Sequence, residues 1–298
     1  MANGIRLVVP ADADGRMARS LLRGAKGVSS RLMRKAAAGT GALTVNGQPA
    51  RFIDKLRAGD EVFLAFPEES SYFEPQDIPL SILYEDEDLL VLDKQPGLVV
   101  HPTKGHASGT IANGVARHMQ MRGESYKIRF ISRLDMDTSG VLLCGKNAYA
   151  QADFARQAGE GSVSKGYLAI VAGALEGSGL VDAPIALERE GEPRRCVRPE
   201  AEGGYPSKTE WESLRVLREE GSVRSLIRLR LLTGRTHQIR VHMAYLGHPV
   251  LGDALYGDGI ASAERQMLHA ARLRFRHPVT GAPLEFEAPL PADMRVML

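Results

Sequence analysis

Apolar positions near the start of the chain follow a helical spacing. Over residues 14–35, Met17, Leu21 and Leu22 fall on one face and Arg16, Arg19 and Arg23 on another, which predicts two short helices. Ser29-Ser30 can cap the second, and Arg31, Arg34 and Lys35 follow it. The pattern then shifts to that of strands. Residues 41–49 read as a strand ending in the Asn46-Gly47 turn, and residues 61–66 as another, entered through Ala58-Gly59-Asp60. Residues 67–79 are acidic, contain proline and have no period, so they read as a linker. Beyond them, strands are predicted at 80–84 and 89–93, a helix from about 111 to 121, strands around 165–172, 207–217 and 223–232, and a helix from about 236 to 246. Few strand–helix–strand repeats occur. The expected class is therefore α+β with a mixed, mostly antiparallel sheet. The expected organisation is a small domain at 1–66, a linker at 67–79 and a large domain at 80–298.

Composition adds little beyond class. The 298 residues are 44% hydrophobic and 25% charged, ordinary for a globular chain with room for one large domain and a small one. No apolar run approaches the roughly 18 residues of a membrane span, and the opening residues lack a signal-peptide core. Cys144 and Cys196 fit no metal-ligand spacing and indicate no disulfide framework. These features predict a reduced, cytoplasmic, monomeric protein. Charge distribution changes the picture more than net charge does. Residues 1–66 carry 11 Lys/Arg against 5 Asp/Glu, and the remainder 27 against 31. A basic piece on a mildly acidic body suits a nucleic-acid-binding module, and equally a solvated basic surface.

The densest chemistry lies in Ser132-Arg133-Leu134-Asp135-Met136-Asp137-Thr138-Ser139-Gly140, just before the apolar strand Val141-Leu142-Leu143-Cys144. A carboxylate fixed in a tight loop beside an arginine can act as nucleophile or base. The plain alternative is a turn in which Asp135 caps amides and Gly140 supplies a positive φ. Asp137 raises the thought of a carboxylate pair, but residues two apart in a turn usually diverge. His237, His242 and His248 cluster, as do His101 and His106, yet none has the spacing of a closed zinc site. His237 and Arg240 read as support for the loop or as phosphate contacts. Asp253 and Asp258, flanking Tyr256-Gly257, read as turn carboxylates. The glycines at 105–114 lack the Gly-Lys-Ser/Thr of a phosphate loop.

Three further segments, in order and spacing, make the loop specific: Lys165-Gly166-Tyr167, then Gly234-Arg235-Thr236-His237-Gln238-Ile239-Arg240, then Leu268 to Phe275 leading into His277-Pro278. Together they resemble the pseudouridine synthases of the RluA type, whose signature is H-R-L-D-x-x-T-S-G, K-x-Y and G-R-x-H-Q-I-R. The resemblance covers roughly residues 80–290. The family usually has histidine where this chain has Ser132, a departure that bears on support of the loop. The N-terminal pieces, namely the second-helix start, Thr44-Val45-Asn46-Gly47 and Ala58-Gly59-Asp60-Glu61-Val62, resemble the S-four-like RNA-binding domain.

The resemblance implies isomerisation of uridine in RNA, with no cofactor and no metal, and the domain arrangement points to large-subunit ribosomal RNA. It implies that Asp135 is catalytic and that Arg235 ion-pairs with it. Arg133 would enter the RNA stack, Tyr167 would lie against the uracil, and Lys165 and Ile239 would shape the pocket. Arg19, Arg31, Arg34 and Lys35 would hold RNA phosphates. The alternatives are a transfer-RNA-directed synthase, a catalytically inactive RNA-binding assembly factor, and a carboxylate hydrolase acting on nucleosides. Intact Asp135, Tyr167 and Arg235 argue against the inactive factor.

Overall fold

The structure is a computed structural model describing residues 3–38, 42–219, 221–257 and 263–298. Gly41 and Asp258, each part of an expectation above, lie outside the described residues.

The first 66 residues build β1 (Gly4–Val8), α1 (Ala18–Lys26), α2 (Ser30–Ala37), β2 (Leu43–Val45), β3 (Gln48–Pro49) and β4 (Glu61–Ala65). The strands form one antiparallel sheet in the order β1-β4-β2-β3. Asn46 and Gly47 both take positive φ, 50° and 77°, as a tight two-residue hairpin turn requires. The Ser29 hydroxyl accepts a hydrogen bond from Leu32 N–H at 3.1 Å and caps α2. Leu21, Leu22, Leu32 and Met33 face the sheet and bury with Ile5, Val62 and Leu64. Arg19, Arg31 and Arg34 are left on the exposed faces. The strand β1 escapes the sequence reading because its alternation covers only five residues at the edge of the chain.

The remainder supplies β5 (Ser81–Glu85), β6 (Leu89–Lys94), α3 (Ile111–Arg122), β7 (Arg129–Phe130), β8 (Ser139–Gly145), α4 (Ala148–Gly159), β9 (Ser164–Ala172), β10 (Ser178–Asp182), β11 (Ile185–Leu187) and β12 (Arg195–Val197). Then come β13 (Lys208–Glu219), β14 (Ser222–Leu231), α5 (Gln238–Tyr245), β15 (Leu268–Arg276), β16 (Pro283–Glu287) and α6 (Ala292–Val296). Ten strands form one sheet with the central order β10-β13-β14-β9-β15-β8-β6-β5, β16 adding to β15 and β7 to β8. Only β15 and β8 pair in parallel among the described strands, so the class is α+β with a mostly antiparallel sheet. That parallel pairing joins the two halves of the sheet. Gly140 makes it feasible: it sits at φ 106°, and a Cβ there would lie 2.2 Å from the Ala270 carbonyl oxygen.

Residues 67–79 have no regular structure, but they are fastened to the large sheet's helices and strands. Ile128 N–H donates to Ser71 Oγ at 2.7 Å, Asn113 Nδ2 to the Glu74 carbonyl at 2.9 Å, and Gly109 N–H to Gln76 Oε1 at 2.7 Å. Glu69 pairs with both Arg129 and Lys35. The small sheet also docks directly. Tyr149 of α4 stacks on Phe66 with ring centroids 5.6 Å apart and donates its hydroxyl to the Lys26 carbonyl at 2.6 Å. At the β5–β6 turn, Asn3 donates to the Glu87 carbonyl and to Asp88, and His277 bonds Asp86 at 2.8 Å. No helix among the described residues is long and apolar enough to cross a membrane.

Candidate active site

Ends of four neighbouring strands, β14, β9, β15 and β8, meet around a cavity of about 320 Å³, within the range of small-ligand clefts. The loop before β8 brings Asp135 into it. Thr138 N–H donates to the Asp135 carbonyl at 3.1 Å, closing a turn. Buried cations hold that turn from behind. Lys94 is 1% exposed, and its ammonium donates to the carbonyls of Gln95, Met136 and Thr138 at 2.9, 2.7 and 2.9 Å. Burial pushes the Lys94 ammonium down to about 8, against the attraction of Asp137. Arg265, paired with Asp293, donates to the Asp137 carbonyl at 2.9 Å, and Gln266 donates to Thr138 Oγ1 at 2.7 Å. Ser132, standing where the family usually has histidine, accepts from Leu143 N–H at 3.0 Å and ties the loop to β8. Asp135 lines the cavity and Asp137 does not. Its backbone, through Arg265, is what the loop uses.

The partner of Asp135 is Arg240 rather than Arg235. Arg240 Nη1 donates to Asp135 Oδ2 at 2.9 Å, while Nε and Nη2 form a two-point pair with Asp253 at 2.7 and 2.8 Å. Asp253 has a fully buried carboxylate that also accepts from Leu255 and Tyr256 N–H. Burial would raise its pKa, but the hydrogen bonds and charge of Arg240 bring it below the usual carboxylate range. Asp253 is therefore an anchor for Arg240, not a simple turn carboxylate. Arg235 lies in the turn ahead of α5. Its Nε reaches the Pro206 carbonyl at 3.4 Å and its guanidinium sits 5.5 Å from the centroid of Tyr205. The start of α5 at Gln238 decides between the two arginines, because it turns Arg240 inward. Every residue of Gln238–Met243 is buried in the folded chain, and a buried arginine requires carboxylate partners.

His237 is held at φ 57°, in the left-handed region that non-glycine residues rarely adopt. Its Nδ1 meets Tyr256 Oη at 2.8 Å, and the same oxygen accepts from Arg195 N–H at 2.9 Å. The phenol then donates to Nδ1, which leaves the proton on Nε2, 3.9 Å from Asp135 Oδ1. Burial lowers the His237 pKa against the attraction of Asp135, favouring this neutral ring. The Arg240 bond leaves Asp135 Oδ1 without a hydrogen bond among the described residues.

The other expected residues fall as follows. Tyr167 on β9 lines the cavity. Burial, then the charge of Asp135, pushes its phenol pKa up, so the hydroxyl keeps its proton. Lys165 lines the same wall, and burial lowers its pKa. Ile239 is 3% exposed and forms apolar floor with Leu268. Arg133 stands at the mouth. Lys35 is bound to Glu69, so its charge serves docking, whereas Arg19, Arg31 and Arg34 form no ion pair among the described residues. The histidine clusters expected above are spoken for: His242 bonds Thr209 and the Ala183 carbonyl, His248 bonds the Ala172 carbonyl, and His101 packs on Phe130; among the described residues the group with metal-ligand spacing is Asp86, Asp88 and His277, whose ligand atoms lie within 4.8 Å of one another.

Comparison with known proteins places this geometry. A family profile described as RNA pseudouridylate synthase matches residues 88–245. An uncharacterized RNA pseudouridine synthase, YjbO, of Bacillus subtilis is 40% identical over 278 residues, covering 92% of this chain and 96% of the relative. The ribosomal large subunit pseudouridine synthase D of Vibrio parahaemolyticus is 39% identical, covering 86% and 82%. Among solved structures, human RNA pseudouridylate synthase domain containing 1 superposes with a TM-score of 0.59 at 30% identity, over 73% of this chain and 86% of that one. The segment matched by the family profile holds Asp135 and Tyr167, which line one cavity, and Arg240, which bonds Asp135, and the chain belongs to the RNA pseudouridylate synthases of the RluA type, which are isomerases.

Proposed function

We propose that the protein converts a uridine of large-subunit ribosomal RNA to pseudouridine, and that Asp135 carries the chemistry. The observation that supports this most is the state of its carboxylate. Arg240 fixes one oxygen and the other is free at the cavity. The reaction breaks the bond from ribose C1′ to N1 of uracil, turns the base, and joins C1′ to C5. The C5 proton is lost and N1 gains one, so no cofactor or redox partner is required. Asp135 acts on the sugar, as nucleophile at C1′ or as base at the neighbouring carbon. The target must leave its stack to enter the cavity. Arg133 at the mouth fills the vacated place, Tyr167 lies against the base, and Lys165 and Ile239 shape the walls. Apolar floor residues keep water from the separated base, so no free uracil is released.

The choice of RNA rests on the Vibrio relative, whose name states a ribosomal large-subunit target. The N-terminal unit acts as an S-four-like RNA-binding domain through Arg19, Arg31 and Arg34, and the protein works in the cytoplasm as a monomer. Pseudouridine mapping of total RNA with and without the protein tests the reading. One or more large-subunit sites should lose pseudouridine in its absence. Loss confined to transfer RNA, or no loss at all, contradicts it.

A further inference from the structure

Beside the catalytic cavity lies a second cleft of about 230 Å³, between the β11–β12 ribbon and the turn into α5. It shares Arg133, Gly234, Arg235 and Thr236 with the cavity, so the two are continuous. Ile185, Ala186, Arg195 and Tyr205 complete the wall, and among the described residues no carboxylate lines it. We infer that this cleft binds a phosphodiester of the RNA strand, next to the nucleotide in the cavity, through Arg195 and Arg235. The inference rests on the RNA-modifying reading above.

Three observations carry it. First, Arg133, Arg195 and Arg235 form no ion pair among the described residues. The arginines of the nearby strands do: Arg228 pairs with Glu212 at 2.9 Å, Arg230 with Glu210 at 2.6 Å and Arg224 with Glu219 at 2.6 Å. Uncompensated cations thus gather at the mouth of the site. Second, Arg195 Nε is shielded from solvent and makes no hydrogen bond among the described residues. A buried donor without a partner is costly, and it belongs to an arginine that lines the cleft. Third, the backbone that carries Arg195 and the guanidinium of Arg235 are set in place beforehand. The ribbon is closed at its base by the Ile185–Tyr205 bridge, and a Cβ on Gly204 would lie 1.9 Å from the Arg198 carbonyl oxygen. Arg195 N–H is fixed to Tyr256 Oη, and Arg235 rests on the Tyr205 ring. Planar forks of this kind match phosphate oxygens in two-point contacts. Tyr256 and then His237 connect the same ribbon to Asp135, so strand binding and the proposed catalytic carboxylate share a support.

The test uses the full chain with unmodified, transcribed large-subunit ribosomal RNA as probe. Arg195→Gln, Arg195→Lys and Arg195→Gln/Arg235→Gln are titrated across a salt series, with Arg228→Gln as control. The double variant should bind roughly tenfold more weakly at about 0.1 M salt, with a salt slope shallower by about 0.7, as for one single-strand phosphate contact. Arg195→Lys should fall between it and wild type, Arg228→Gln should match wild type, and the loss should fall on KM more than on kcat. Unchanged slope and affinity in the double variant overturn the site. Inorganic phosphate and uridine monophosphate serve as competitors. Failure of either to displace RNA at low millimolar concentration supports a strand phosphodiester, and displacement at micromolar concentration overturns it in favour of a small-molecule site. Pseudouridine is counted in the same reactions. If wild type forms it while the slope ignores Arg195, only the phosphate site fails. If the slope depends on Arg195 while wild type forms none, the site stands and the functional reading fails.

Discussion

Arg240 stands between two carboxylates with unequal claims on it. Asp253, fully buried, takes two of its nitrogens, and Asp135, at the cavity, takes the third. The two-point pair fixes the guanidinium plane, and the plane fixes where Asp135 points. Arg240→Gln should therefore fail twice. It strands the Asp253 carboxylate, a loss of about 3–5 kcal/mol, and it frees Asp135 to move, costing about 100-fold or more in kcat. Arg235→Gln should leave stability near wild type and weaken RNA affinity more than turnover. Urea titration and single-turnover rates on both variants check this; the reverse ranking would restore Arg235 as the partner. At this scale the gathering of Asp135, Arg133, Tyr167 and Ile239 around one cavity was legible, because each sits in a fixed motif. The choice between Arg235 and Arg240 was not. Five residues separate them, and only the position at which α5 starts turns one of them toward Asp135.

The loop holding Asp135 is kept in shape by elements distant in sequence. Lys94 ends β6 and Arg265 precedes β15, and between them they bond the carbonyls of Met136, Asp137 and Thr138. Lys94→Met retains the bulk of the side chain and removes three donors. Each buried carbonyl left without a partner costs about 1–3 kcal/mol, partly relieved by relaxation, so a loss of about 2–4 kcal/mol in urea unfolding is expected, with lower kcat. A variant as stable as wild type would show that the loop holds itself. Most elements were legible from periodicity: the helix expected at about 111–121 is α3, and the strands expected at 165–172 and 223–232 are β9 and β14. α4 was not read; its start depends on Asn147 accepting from Ala150 N–H. The ribbon β11–β12 was missed because its segment is charged and carries no alternation. Neither Lys94 nor Arg265 lies in a motif that points to the loop. Their role arises from the sheet order alone.

Across the whole molecule, the small N-terminal sheet is docked and the segment after it is fastened down. Truncation should therefore depend sharply on where it is made. Removing residues 1–66 keeps the contacts of Glu69, Ser71, Glu74 and Gln76, and should leave a folded, active body with lower Tm and a shallower salt dependence of RNA binding. Removing residues 1–79 strips those contacts as well, and should destabilise the body further. Equal Tm for the two truncations would show that the segment contributes nothing. The linker was legible as a break in periodicity. Its attachment was not, since it rests on side chains of α3 and β7 that sequence does not bring together. The Asp86–His277 pair near the docking contacts adds a pH dependence. The hydrogen bond raises the His277 pKa and, despite burial, Asp86 is brought down to about 2. The stability that wild type holds over His277→Gln should be full below the ordinary histidine value of 6.5 and be lost as pH rises through the raised value. Thermal unfolding of both proteins from pH 5 to 9 checks the sign. A difference that grows with pH contradicts it.

The central claim is that the free oxygen of the Asp135 carboxylate performs the isomerisation. Asp135→Asn keeps the size of the side chain and can still meet Arg240 through its carbonyl oxygen, but it can neither attack the sugar as a carboxylate nor take a proton as one. The decisive measurement is single-turnover pseudouridine formation by purified wild type and Asp135→Asn on unmodified large-subunit ribosomal RNA, with RNA affinity measured alongside. The account predicts wild-type-like affinity and no detectable pseudouridine from the variant. Turnover at the wild-type rate would contradict it.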